Sequence, residues 1–170
     1  MIMSASQQNA KAPKRTSAHG RSTARLAAVQ ALYQMDMAGT DLNEVIEEFR
    51  KHRLGRELDG EQYAVADARF FRDLLEGVVE QQRTLDPMLN DSLAEGWRLS
   101  RIDSILRAIL RAGAYELLRR DDVPAKTVIT EYIDITHAFF QGDEPKAVNG
   151  ILDTLAHSLR TKEFEPEKTV

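Results

Sequence analysis

Apolar residues recur at three- and four-residue spacing in one segment after another from about residue 22 to residue 159, and a glycine, proline or capping residue stands at each break. That spacing gathers the apolar groups on one face of a helix, so each segment has a stripe to bury against its neighbours. No segment shows sustained apolar–polar alternation between hairpin turns, so strands are not needed. The pattern predicts an all-α chain, a compact bundle of about seven helices.

The segments follow in order. Ala28, Leu32 and Met35 share one face of a first helix over 22–38, which Gly39 stops. Asp41 with Glu44 is a variant capping box, and Leu42, Val45, Ile46 and Phe49 carry a second helix to about Arg53. Residues 54–60 hold two glycines and read as a loop. Phe70, Phe71, Leu74, Leu75, Val78 and Val79 then build a long third helix that ends near Thr84. Asp86 before Pro87 predicts a short fourth helix, because a proline at the first helical position loses no needed N–H while the aspartate caps free donors. Gly96 ends it.

Ser100 and Asp103 introduce the most apolar helix, from Ile102 to Leu117, which is expected to sit centrally. Gly113 costs it helix propensity, so a close helix crossing is predicted there. Asp122 and Pro124 open a sixth helix with Val128, Tyr132, Ile135 and Phe139 inward. After Gly142, Glu144 and Pro145 open a seventh with Val148, Ile151, Leu152, Leu155 and Leu159 inward.

At 170 residues the chain suits one domain. Residues 1–20 have little to bury and are expected to be a disordered basic arm, residues 21–160 the helical body, and residues 161–170 a charged, frayed tail. With no cysteine there is no disulfide, thiolate metal site or cysteine nucleophile. Nothing approaches the roughly 18–20 consecutive apolar residues that cross a bilayer, and no signal-peptide core is present, so a cytoplasmic location without a membrane partner is expected. Neither a P-loop nor a dinucleotide-binding glycine cluster occurs. His19, His52, His137 and His157 never fall at the spacing that puts two ligands on one helix face. Tyr132, Asp134 and His137, and the acids Glu131, Asp143 and Glu144, read as ordinary boundary and capping residues. No cofactor, metal or catalytic residue is expected, and the chain is not read as an enzyme. The lone Trp97, at a helix junction, is expected to fill the core, the other possibility being a contact point for a partner.

A net charge of −4 disfavours a nucleic-acid partner only as an average. No acid precedes Asp36, while Lys11, Lys14, Arg15, Arg21 and Arg25 give that segment +5, leaving 18 basic against 27 acidic residues elsewhere. Arg21 and Arg25 are four apart, so both guanidinium groups are expected to project from one face of the first turn as phosphate-binding forks. Gln30 and Tyr33 supply an amide and a ring suited to unstacked RNA bases. A solvated basic helix start with a core tyrosine would use the same residues. At the start of the last helix Lys146 lies at a dipole end that favours anions, and Asn149 is a poor helix-interior residue whose amide binds RNA or bridges to another helix.

Arg21-x-x-x-Arg25 leading into Ala28-Val29-Gln30-Ala31-Leu32-Tyr33 resembles the opening signature of the NusB family. Phe71 to Val78, Trp97 to Arg101, Ile105 to Glu116, Asp122-Val123-Pro124 and Lys146 to Asp153 resemble its later blocks, in order, over about residues 20–160. The resemblance implies two small helical subdomains and binding to the boxA element of ribosomal RNA leader transcripts. It also implies a heterodimer with NusE, a small-subunit ribosomal protein, which joins other Nus factors on RNA polymerase to suppress termination. A homodimer of the free protein is a further possibility. By position, the resemblance makes Arg21 and Arg25 the arginine-rich motif, Tyr33 a first-helix RNA contact, and Asp143, Lys146 and Asn149 the segment that opens the last helix. Ser22 and Thr23 thin the arginine run, and Ala147 stands where relatives carry an aromatic residue. A similar module begins some ribosomal RNA cytosine methyltransferases, but this chain lacks the length and cysteines such an enzyme needs. A helical scaffold without RNA affinity is the remaining alternative.

Overall fold

The structure, a computed structural model, describes residues 18–52 and 67–166. The predicted loop at 54–60 lies outside the described residues, as do Lys11, Lys14 and Arg15 of the predicted arm. Six α-helices and two short 3₁₀ turns, Leu99–Arg101 and Thr161–Phe164, make up the regular structure among the described residues. The helices are α1 (Ala18–Ala38), α2 (Leu42–His52), α3 (Ala68–Ser92), α4 (Ser104–Arg119), α5 (Ala125–Phe139) and α6 (Glu144–Leu159).

Local chemistry sets most of the boundaries. Gly39 takes φ +66°, which a side chain would resist, and its N–H closes α1 on the Met35 carbonyl at 3.0 Å. Asp67 caps α3 by accepting from the Phe70 N–H at 3.0 Å. Asp103 caps α4 by accepting from the Ile105 and Leu106 N–H groups at 2.8 and 3.2 Å, while Ser100 falls in the preceding 3₁₀ turn. α1 begins at Ala18, so residues assigned to the arm are already helical.

The predicted break before Pro87 does not occur. α3 runs through it to Ser92, which turns two expected helices into one and lowers the count to six. Pro87 is itself exposed, whereas Leu85 and Leu89 beside it are completely buried on one stripe, and that burial outweighs the lost backbone hydrogen bond. Nor does Asp86 cap a helix. Its two oxygens accept from Arg111 Nε and Nη2, each at 2.9 Å, and so tie α3 to α4.

α4 is central, packing on α1, α3, α5 and α6, with one continuous apolar cluster running through all of them. Two glycines allow the closest approaches. A Cβ at Gly113 would stand 2.9 Å from Leu152 Cδ1, which is the predicted crossing, here with α6. A Cβ at Gly77 would overlap the Tyr115 ring, so α3 meets α4 through an aromatic face laid on bare backbone.

The predicted frayed end is partly fastened. Arg160 is buried and donates to the carbonyls of Leu117, Val123, Glu116 and Arg120 at 2.7–3.1 Å, and Phe164 stacks on His157 at 3.9 Å. Phe139, expected inward, is exposed at the end of α5.

Candidate nucleic-acid interface

α1 presents different chemistry on different faces because it is gripped along one of them. Ala24, Ala28, Ala31 and Leu32 face the core, and Arg25 lies on that same stripe one turn above Ala28. Arg25 is accordingly 2% exposed. Its Nε and Nη2 donate to the two oxygens of Glu116 on α4 at 2.8 and 2.9 Å, and Nη1 lies 3.5 Å from Glu131 on α5. Burial alone would weaken the Arg25 charge, but the hydrogen bonds and negative charge of Glu116 outweigh it and raise the pKa. Tyr132 also donates its hydroxyl to Glu116, at 2.5 Å, and burial together with that carboxylate pushes the phenol pKa well above its ordinary value.

The expectation that Arg21 and Arg25 stand side by side as two phosphate-binding forks is therefore corrected. An arginine on the buried stripe finds its partner inside, and Arg25 joins α1 to α4 and α5. Arg21 remains at the surface, half-exposed, 3.3 Å from Asp122 and 3.9 Å from Asp67.

Gln30 and Tyr33 lie three residues apart on a face of α1 that leads to the exposed Met37. Gln30 is half-buried, and Tyr33 at 37% exposure offers part of its ring to solvent, so it is not the core tyrosine of the alternative reading. Asp143, Lys146 and Asn149 are all exposed on a separate element, at the opening of α6. The Asp143 side chain makes no capping hydrogen bond there.

Two features escaped the sequence. The first is a cleft of about 560 Å³ between the starts of α1 and α3, lined by Arg21, Asp67, Ala68, Arg69, Phe70 and Arg120. The second surrounds Trp97, which is 64% exposed rather than packed in the core. Trp97 rims a hollow of about 630 Å³ that shares Asp36 and Arg111 with a smaller, more enclosed one of about 300 Å³ between α1 and α3. Two ion pairs line these hollows, Arg107 with Asp36 at 2.5 Å and Arg111 with Asp86 at 2.9 Å, with Arg98 exposed beside them, while Val79 and Trp97 leave apolar surface exposed. An exposed tryptophan beside paired charges is the composition of a protein-binding face. Among the described residues no three His, Asp or Glu side chains gather as a metal site, and no helix is long and apolar enough to cross a membrane.

The NusB family model matches residues 22–157, which is nearly the whole helical body. The chain belongs to the NusB family. Among its NusB relatives is the transcription antitermination protein NusB of Bradyrhizobium sp. (strain BTAi1 / ATCC BAA-1182), 57% identical over 150 residues that cover 88% of this chain and 89% of that protein. The protein of the same name from Allorhizobium ampelinum (strain ATCC BAA-846 / DSM 112012 / S4) is 54% identical over 153 residues, 90% of this chain and 95% of its own length. The fold matches a solved structure of T. maritima NusB with a TM-score of 0.70 at 30% identity, over 86% of this chain and 97% of that one. It also matches a chain in a crystal structure of antitermination factors NusB and NusE in complex with dsRNA, with a TM-score of 0.67 over 81% of this chain and 96% of that one, where 20% identity speaks for the NusB fold alone.

Proposed function

We propose that this NusB-family protein is a transcription antitermination factor. It binds boxA RNA of ribosomal RNA leaders as a heterodimer with NusE and joins other Nus factors on RNA polymerase in the cytoplasm, without catalysing a reaction. The observation that carries this reading is the family match along residues 22–157, whose relatives bear that name, together with half-exposed Arg21 and exposed Tyr33 on the helix that opens it.

Arg21 supplies a phosphate contact, Tyr33 a stacking surface and Gln30 an amide, with Asp143, Lys146 and Asn149 as a second contact patch. Arg25 acts indirectly by holding α1 against α4. The hollows lined by Val79 and Trp97 seat the protein partner, since paired arginines beside exposed apolar surface suit a protein better than a phosphate backbone.

The test is a titration of labelled boxA RNA with the purified chain, alone and with NusE, against a shuffled RNA. Preference for boxA, strengthened by NusE and weakened by Arg21→Ala and Tyr33→Ala, is the expected result. Equal binding of both RNAs under all conditions would leave only a scaffold.

A further inference from the structure

We propose that the cleft between the starts of α1 and α3 seats a backbone phosphate of the bound RNA, held by Arg69 together with Arg21 and Arg120. The inference rests on the RNA-binding reading above and adds a contact outside the first helix.

The cleft is built around Phe70. The Arg21 and Arg120 guanidinium carbons lie 4.8 and 5.0 Å from the centre of its ring, with Arg25 at 4.9 Å and already committed to Glu116. A guanidinium held over an aromatic face keeps its in-plane N–H groups for acceptors. The spacing of Arg21 and Arg120 already suits an oxyanion, because one oxygen of Asp122 accepts from both, at 3.3 and 3.0 Å. Although partial burial favours the neutral acid, Arg120 and Arg21 pull the Asp122 pKa below the usual carboxylate range, so the site holds negative charge well. Arg120 keeps a further buried donor, Nε, without a partner.

Arg69 makes the cleft a site for an incoming anion rather than a closed ion-pair network. Arg21 pairs with Asp67, Arg120 with Asp73 and both with Asp122, whereas Arg69 is exposed on the cleft wall and has no hydrogen bond or ion pair among the described residues. A phosphate diester entering beside it would meet one guanidinium with no ion pair among the described residues and two that are prearranged. RNA is the occupant favoured over an acidic protein because Arg21 belongs at once to this wall and to the proposed RNA face of α1.

The experiment measures boxA affinity of the full chain with NusE at several salt concentrations, for the wild type, Arg69→Ala, Arg69→Glu and Arg21→Ala. Arg69 is exposed and makes no hydrogen bond or ion pair among the described residues, so unchanged thermal melting is expected for both of its variants. Arg69→Ala should weaken binding roughly three- to tenfold and make the logarithmic salt slope shallower by about 0.7, and Arg69→Glu should weaken it further. Wild-type affinity and slope in both Arg69 variants, with Arg21→Ala impaired, would overturn the cleft and leave the RNA reading standing. Wild-type behaviour in all three would overturn the cleft and the Arg21 phosphate contact together, while loss of any preference of the wild type for boxA over a shuffled RNA would overturn the RNA reading itself.

Discussion

Arg25 on α1 and Glu116 on α4 meet through two hydrogen bonds of 2.8 and 2.9 Å with both side chains sealed from solvent. Desolvating two charges is costly, so the pair favours the fold only because geometry and added partners offset that cost. Glu116 takes the Tyr132 hydroxyl as well, and Glu131 lies beside Arg25 while accepting from Ser22 at 2.7 Å. Three helices therefore close on one polar knot, and the knot sets where the exposed residues of α1 stand.

Removing one member leaves the other charge buried alone. Arg25→Ala is expected to lose about 3–5 kcal/mol of stability. Arg21→Ala, which breaks only partly exposed pairs, should lose less than about 1 kcal/mol. Chemical denaturation of the two variants checks the contrast, and equal stabilities would deny Arg25 its anchoring role.

At the α3–α4 contact, Gly77→Ala puts a methyl group where the Tyr115 ring lies and must displace it, which also breaks the 2.9 Å hydrogen bond from Tyr115 to Asp73. Overpacking of this kind costs about 1–3 kcal/mol. Gly113→Ala meets the tip of Leu152 at 2.9 Å and the edge of the Tyr132 ring at 3.3 Å, a milder overlap, and its gain in helix propensity of about 1 kcal/mol offsets much of the strain. Melting temperatures should therefore fall further for Gly77→Ala, and the reverse order would contradict the packing described.

Alkaline pH should loosen the same contact. Burial first, then the hydrogen bond to Asp73 and its charge, raise the Tyr115 pKa from 10.0 to about 12. A group whose folded pKa lies above its unfolded value favours the fold while protonated in both states, and that contribution is lost as pH climbs from the lower value to the higher. Stability is expected to decline between about pH 10 and 12, and Tyr115→Phe should make the decline shallower in a denaturant series across that range.

Arg160→Ala removes a donor from four backbone carbonyls where α4 and the turn after it meet the end of α6; Glu116 and Arg120 keep the backbone N–H groups of Arg120 and Val123, whereas Leu117 and Val123 lose the side-chain donor that pairs them. Burying unpaired acceptors costs about 1–3 kcal/mol apiece before water enters. A loss of at least about 2 kcal/mol is expected, with faster amide hydrogen exchange in α4's last turn as the local signature.

The helical period made most elements readable, since a buried stripe leaves its spacing in the chain whatever it packs against. Arg25 shows what that signal lacked. It stands in register with Ala28 and Leu32, as Glu116 stands in register with Ile109 and Gly113, so two opposite charges interrupt two apolar stripes. This was a legible sign of a buried pair, but a residue 91 positions away became a partner only once the helices were placed. Pro87 misled because local preference for a helix start was weighed without the burial of Leu85 and Leu89. Trp97 misled because size favours burial, whereas its neighbours Arg98, Asp86 and Arg107 surround an open hollow. Arg69 carried no sign at all, as a lone exposed arginine acquires meaning only from the walls around it.

Trp97 is the only tryptophan in the chain, and it projects from the rim of the groove between paired charges. The molecule thus carries its own optical reporter at one address. Emission from a water-bathed indole shifts to shorter wavelength when a neighbour covers it, so assembly with another protein on this face is readable without any dye, and RNA arriving at α1 alone should leave the spectrum still.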